Sequence, residues 1–180
     1  MPDQATTPRP LIRAGQPAAD AWILVRDADA DADAATSGER AIVPLATWQA
    51  GAGQAPWLSS DTELTDTLAA ELADAPLIAI DFPKFTDGRG YSLARLLRER
   101  YGYVGEIRAI GDVLVDQLYF MTRCGFDALS LREDQWVEDA LKALGAFSRA
   151  YQPAVDQPEP LFRRREREWA QAREKAPAYA

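Results

Sequence analysis

Histidine is absent from this sequence, and cysteine occurs once, at Cys124. The first absence removes Ser-His-Asp and Cys-His catalysis, His-ligated metals and a haem held by histidine. The second removes intrachain disulfides, CxxC zinc sites and four-cysteine iron–sulfur clusters. Long apolar runs are missing too: none approaches the roughly 18 residues of a membrane helix. The N-terminus, MPDQATTPRPLIRAG, has no apolar signal core. From these absences we expect a cytoplasmic chain with no membrane partner, no metal ion and no cofactor of its own.

Positive charge is also in short supply. Twenty Lys/Arg face 28 Asp/Glu, for a net charge of −8, so binding to nucleic acid is disfavoured. The deficit is uneven. Residues 161–180 hold Arg163, Arg164, Arg165, Arg167, Arg173 and Lys175 against three Glu. An acidic body with a basic tail suits docking on an acidic surface, and a solvated helix is the plainer alternative.

What is present is organised around LIAIDFPKFTDGRGYSLARLLRERYGYVGEIRAIGDVLVDQLYFMTRCGFDALSL, Leu77–Leu131. Three apolar runs, Leu77–Phe82, Glu106–Ile110 and Phe126–Leu131, alternate with two helical patterns. That alternation predicts successive βαβ units in a parallel sheet. Upstream, strands are predicted at Trp22–Val25, Ala41–Leu45 and Pro56–Leu58, with Pro44 marking an edge or a strand end. A helix follows the third, capped by Ser60 or Asp61, with Leu64, Leu68 and Leu72 inward. The helix predicted from Tyr91 to Arg100 turns Leu93, Leu96 and Leu97 inward and leaves Arg95, Arg98 and Arg100 outside. Another runs from about Asp134 to Tyr151, with Trp136, Leu141, Leu144 and Phe147 inward. The expected fold is α/β: a mainly parallel sheet of about four βα units, open or half-barrel-like, after a short N-terminal β segment. Residues 1–20 are expected to be loosely ordered, 21–152 to form one domain, and 153–180 to be a Pro-rich spacer and basic tail.

The alternating Asp and Ala of Asp27–Asp33 has the look of a calcium loop, but position six is Ala32 and position twelve Gly38. The turn glycine and the bidentate Glu are both missing, which leaves a flexible acidic loop.

In an open α/β sheet the ligand crevice lies outside the carboxyl ends of the strands. Lys84, Asp87, Gly88, Arg89 and Gly90 follow the first central run and lead into a helix. Free N–H groups and two cations there would suit a small anion. The alternative is a tight turn whose charges pair among themselves, and the motif matches neither GxxxxGK[ST] nor GxGxxG. Asp81 and Asp112 end neighbouring strands, so they would hold a cation or act as an acid/base pair; the alternative makes Asp112 a helix cap and bonds Asp81 to the turn around Lys84. Arg108, inside a strand covered on both faces, needs a carboxylate, with Asp81, Asp112 or Asp116 as candidates. Asp116 and Gln117, on a broadly apolar helix, also need partners. Cys124 reads as a small buried hydrophobe. Trp22, Trp48, Trp57 and Trp136 read as core or partial core. In the tail, Phe162 and Trp169 stand seven apart and share a helical face with Arg163, Arg164 and Arg165 nearby, a pattern suited to a partner or a second copy of the chain.

The motifs DFPKFTDGRGYS, GEIRAIGDVL-x-DQL and RCGFD, with Val43–Trp48 upstream and Ala146–Gln152 downstream, closely resemble the bacterial family known as domain of unknown function 934. The likeness spans about residues 20–152. The resemblance implies a probable oxidoreductase or accessory protein of assimilatory sulfite reduction, with sulfite reductase or its electron donor as partner. It brings no catalytic residues. Three functions are therefore expected as alternatives: an accessory protein of sulfite reduction, a small-anion-binding enzyme or sensor built on the DFPKFTDGRG loop, and a structural homo-oligomer, a dimer above all, joined through an open sheet edge.

Overall fold

The computed structural model describes residues 9–26 and 40–175; the acidic repeat Asp27–Asp33 and residues 1–8 lie outside the described residues. Eight strands form one mixed sheet: β1 (Leu11–Arg13), β2 (Gln16–Ala18), β3 (Ile23–Leu24), β4 (Ala41–Pro44), β5 (Ala55–Leu58), β6 (Leu77–Phe82), β7 (Glu106–Gly111) and β8 (Ala128–Ser130). Their spatial order is β2-β1-β8-β7-β6-β5-β4-β3. From β3 to β8 each strand lies parallel to the one before it, whereas β1 runs antiparallel to both β8 and β2. Five helices accompany it among the described residues: α1 (Asp66–Leu72), α2 (Arg89–Glu99), α3 (Leu118–Arg123, preceded by a 3-10 turn at Val115–Gln117), α4 (Val137–Leu144) and α5 (Leu161–Lys175).

Alternation along the strands sorts the core into two faces. Ile78, Ile80 and Phe82 of β6, with Ile107 and Ala109 of β7, pack in one cluster with Leu72 of α1, Leu93 and Leu97 of α2, Leu118 and Met121 of α3 and Ala140 of α4. The residues between them, Leu77, Ala79 and Ile110, cluster with Ile42, Ala55, Trp22, Leu24 and Trp57. One face thus takes the helices. The other is covered by the chain's own residues from Asp20 onward.

That cover dictates a curled sheet. Ala18 ends β2 at one edge and Ile23 opens β3 at the other. Five residues of chain reach at most about 18 Å. The outer strands of a flat eight-stranded sheet would stand about 33 Å apart. The sheet must therefore bend around its helix-free face, and residues 19–22 cross that face as a strap. Strap and sheet are joined by ions. Arg108 of β7, only 1% exposed, donates from Nη1 to both oxygens of Asp20 at 2.8 and 2.9 Å and from Nε to Glu106 at 2.8 Å. Glu106 also pairs with Arg13 at 2.8 Å.

Several sequence expectations change here. Residues 11–13 and 16–18, within the segment expected to be loosely ordered, are strands, and Ile12 is fully buried. Arg108 needs a carboxylate as argued, but takes Asp20 and Glu106 rather than Asp81, Asp112 or Asp116, because the strap brings Asp20 over β7. Pro44 marks a strand end and not an edge, since β4 lies between β3 and β5. Thr65, not Ser60 or Asp61, caps α1, its Oγ1 accepting the Leu68 N–H at 3.2 Å. On α2, Leu96 faces out, while Arg98 turns in to donate to the carbonyls of Tyr103, Gly105 and Gly125 and to pair with Asp127. The last body helix covers only Val137–Leu144 and ends at Gly145, a poor helix former. Trp136 and Phe147 fall outside it and are exposed. Cys124 is buried, as read.

Candidate functional site

The DFPKFTDGRG loop leaves the carboxyl end of β6, and its charges are turned on one another. Arg89 donates from Nε to Asp87 Oδ1 at 3.0 Å and from one terminal nitrogen to Oδ2 at 2.7 Å. Ser60, buried just beyond β5, donates to Asp87 Oδ2 at 2.7 Å and accepts from Arg89 at 3.1 Å. Asp87 Oδ1 also accepts the Arg89 backbone N–H at 3.1 Å, so the start of α2 is served by the chain's own carboxylate. The Arg89 guanidinium and the Ser60 hydroxyl hold the Asp87 carboxyl far below the usual carboxylate range. Gly90 sits where a Cβ would meet the Phe82 ring at 2.7 Å, so it is needed for helix–strand contact. Gly88 has φ −83° and open space around it. Lys84 is exposed.

A second locus lies beside this loop, at the carboxyl ends of β6 and β7. A cleft of about 300 Å³ is lined by Arg9, Arg26 and Arg132 with Asp81, Asp112 and Gly111. Its ionised groups sum to one positive charge. Each arrives from a different part of the chain. Asp81 and Gly111 are strand-end residues brought together by the β6–β7 register, in which Phe82 stands opposite Gly111. Arg26 comes from the strap side, 2.7 Å from Asp81 Oδ1 and 5.6 Å above the Trp57 ring. Arg9 precedes β1 and donates to the Gly111 carbonyl at 2.7 Å. Arg132 follows β8.

The members differ in how much bonding capacity they keep. Arg132 commits three of its five N–H groups, donating to Asp112 at 2.7 Å and to both oxygens of Asp134 at 2.7 and 2.8 Å. It holds the Asp134 carboxyl down at about 2. Asp112 is engaged at both oxygens: Oδ1 takes Arg132 and Oδ2 takes the Phe85 N–H at 2.8 Å. The Phe85 N–H first, then Arg132, keep its carboxyl below the ordinary value. Asp112 is thus neither a helix cap nor a free ligand; Leu114 occupies the cap position. It works with Gln117, which donates to the Phe85 carbonyl at 2.7 Å, and together they clamp the backbone of the loop. Asp81 Oδ1 is different. It is buried and has no aligned hydrogen bond, because the nearby Arg26 nitrogen lies within ion-pair distance but off the hydrogen-bond direction. Arg26, with its side chain 41% exposed, and Arg9, with one hydrogen bond to a carbonyl and an ion pair to Glu133 at 3.7 Å, keep N–H groups to offer.

The structure therefore brings Asp81 and Asp112 into one cleft and leaves Arg89 and Arg108 outside its lining, with Asp116 exposed at the 3-10 turn. Among the described residues no three of His, Cys, Asp and Glu gather as metal ligands, and no helix is long and apolar enough to cross a membrane. In the tail, Phe162 and Trp169 are exposed on α5, with Arg163 stacked on Phe162. Arg164 is instead used within the chain, donating to the Ala150 carbonyl at 2.9 Å, and Arg149 pairs with Glu168 at 2.8 Å. Arg165 is exposed.

A family model described as "Bacterial protein of unknown function (DUF934)" matches residues 55–162, more than half of the chain. The chain belongs to this family. No curated protein and no solved structure matches it. The matched DUF934 span holds the strand ends that carry Asp81, Gly111, Asp112 and Arg132, whereas Arg9 and Arg26 lie before it.

Sequence reading missed Arg9, Arg26, Arg132 and Ser60. The signal for Arg132 was present: it is the first residue after the third apolar run, hence at a strand's carboxyl end like Asp81 and Asp112. Ser60 follows β5 in the same way. Arg26 carries the same signal, as the first residue after the predicted Trp22–Val25 strand, but only the curl of the sheet brings it to Asp81; nothing local marks Arg9, which precedes β1.

Proposed function

We propose that this chain is a small-oxyanion-binding protein that serves assimilatory sulfite reduction. The observation that carries the binding role is the convergence of Arg9, Arg26 and Arg132 on one cleft at the strand ends, where the first two keep donors to spare. Guanidinium forks suit planar and tetrahedral oxyanions. The tie to sulfite reduction is supported by the family resemblance alone, with sulfite reductase or its electron donor as the proposed partner. The test is a melting curve in sulfate, sulfite and phosphate against sodium chloride of equal ionic strength. A ligand at 100 times its dissociation constant stabilises by about 2.7 kcal/mol, which raises Tm by about 5–10 °C for a chain of this size. Arg26→Ala is expected to abolish the rise. A flat response of the wild-type protein to all three anions sinks the reading.

A second reading is favoured by α5. Phe162 and Trp169 are large, exposed and on one helical face with arginines beside them, the composition of contact hot spots. They form the surface for contact with sulfite reductase or its electron donor. The double variant Phe162→Ala/Trp169→Ala is expected to lose at least tenfold in affinity in a pull-down or titration with sulfite reductase, at unchanged melting temperature. Equal capture by both proteins, or capture of neither, rejects this surface.

A further inference from the structure

We infer that the cleft selects an oxyanion that carries a proton, such as hydrogen phosphate or hydrogen sulfite, over a fully deprotonated one such as sulfate. This rests on the anion-binding reading and deepens it. The cleft is of mixed charge. A site built only to attract a dianion has no use for a carboxylate, since like charges brought together without an intervening proton repel. Yet two carboxylates line this one. Asp112 is spoken for at both oxygens, by Arg132 and by the Phe85 N–H. Asp81 is not: its Oδ1 is buried and accepts no hydrogen bond among the described residues, although Arg26 lies 2.7 Å away.

An ionised carboxylate accepts hydrogen bonds and donates none. A bound group facing Asp81 must therefore bring an O–H or N–H, while its other atoms face the guanidiniums of Arg26 and Arg9. Hydrogen phosphate meets both demands: one O–H donates to Asp81, and its remaining oxygens accept from the arginines. Hydrogen sulfite is the sulfur counterpart. Sulfate has no proton to offer near neutral pH, so it would set an oxygen lone pair against the carboxylate. The pairing also explains why Arg26 rests beside Asp81 without an aligned bond. It neutralises the carboxylate at 2.7 Å and, with its side chain 41% exposed, has N–H groups left to direct at an anion.

The test uses the full-length protein and isothermal titration with inorganic phosphate and with sulfate, at equal ionic strength and pH 7. Phosphate is expected to bind at least tenfold more tightly than sulfate. In Asp81→Asn, whose amide donates as well as accepts, sulfate should gain at least tenfold and the preference should vanish. Sulfate binding as tightly as phosphate to the wild-type protein overturns this inference and leaves the anion site standing. Binding of neither overturns the site as well. If Asp81→Asn folds and keeps the phosphate preference, Asp81 is not the selecting group. If that variant does not fold, the wild-type comparison decides by itself.

Discussion

Asp20→Ala is expected to lower the unfolding free energy by about 3 kcal/mol, the lower end of what it costs when a buried charge, here Arg108, loses a partner, since Asp20 itself is partly exposed. Arg108 is 1% exposed, and Asp20 takes two of its hydrogen bonds. Without Asp20 the guanidinium stays in the sheet with only Glu106, a carboxylate already shared with Arg13. The cost falls at the lower end because that partner remains. In urea unfolding, or as a fall in Tm of about 6–12 °C at this chain length, the effect is large enough to measure.

The companion variant separates charge from packing. Arg108→Met in the Asp20→Ala background removes the buried charge while keeping an unbranched side chain in its place, and well-packed apolar substitutes for buried ion pairs are often neutral or better. The double variant should recover most of the loss. A loss below about 1 kcal/mol for Asp20→Ala alone would mean that the strap is not held by this pair. The same variant also bears on the cleft, because the strap delivers Arg26. Loosening the chain at Asp20 is expected to weaken phosphate binding even where the protein remains folded.

This dependence on the strap explains which parts of the molecule were legible in the sequence. The six-residue runs of β6 and β7 were readable because apolar strand residues buried on both faces leave a local signature, and α2 was readable from its Leu93–Leu97 spacing. The strand-end rule then pointed to Asp81 and Asp112, which do share a cleft. Illegible were the features set by chain crossing. β1 and β2 are three-residue strands inside a proline-bearing segment, too short for periodicity to register. The partner of Arg108 lies 88 positions away, and no local rule selects Asp20 over Asp81. The Arg89 loop was legible in composition but not in geometry. Its two opposite charges stand two residues apart, and only the position of Ser60 makes their pairing complete.

Gly111→Ala is expected to cost about 3–5 kcal/mol and to remove anion binding, from backbone strain and overpacking together. Gly111 has φ +94°, a conformation that residues with a Cβ rarely adopt. A Cβ there would lie 2.4 Å from the Phe82 carbonyl oxygen and 2.6 Å from Asp81 Oδ1. The first contact is backbone and cannot swing aside. It sits where β6 and β7 are still paired, Phe82 opposite Gly111, and just before the Asp112 N–H donates to the Phe82 carbonyl at 2.7 Å. Relief requires the two strand ends to part, and that movement takes Asp81 away from Arg26 and the Gly111 carbonyl away from Arg9. Gly88→Ala is the control, in the neighbouring loop: its φ of −83° and open surroundings predict a change within about 0.5 kcal/mol. Urea unfolding of the two variants beside phosphate titration tests the link between the strand ends and the cleft. A Gly111→Ala protein that is destabilised yet binds phosphate as the wild type does would show that the anion does not depend on the β6–β7 ends, and would move the binding site away from Asp81.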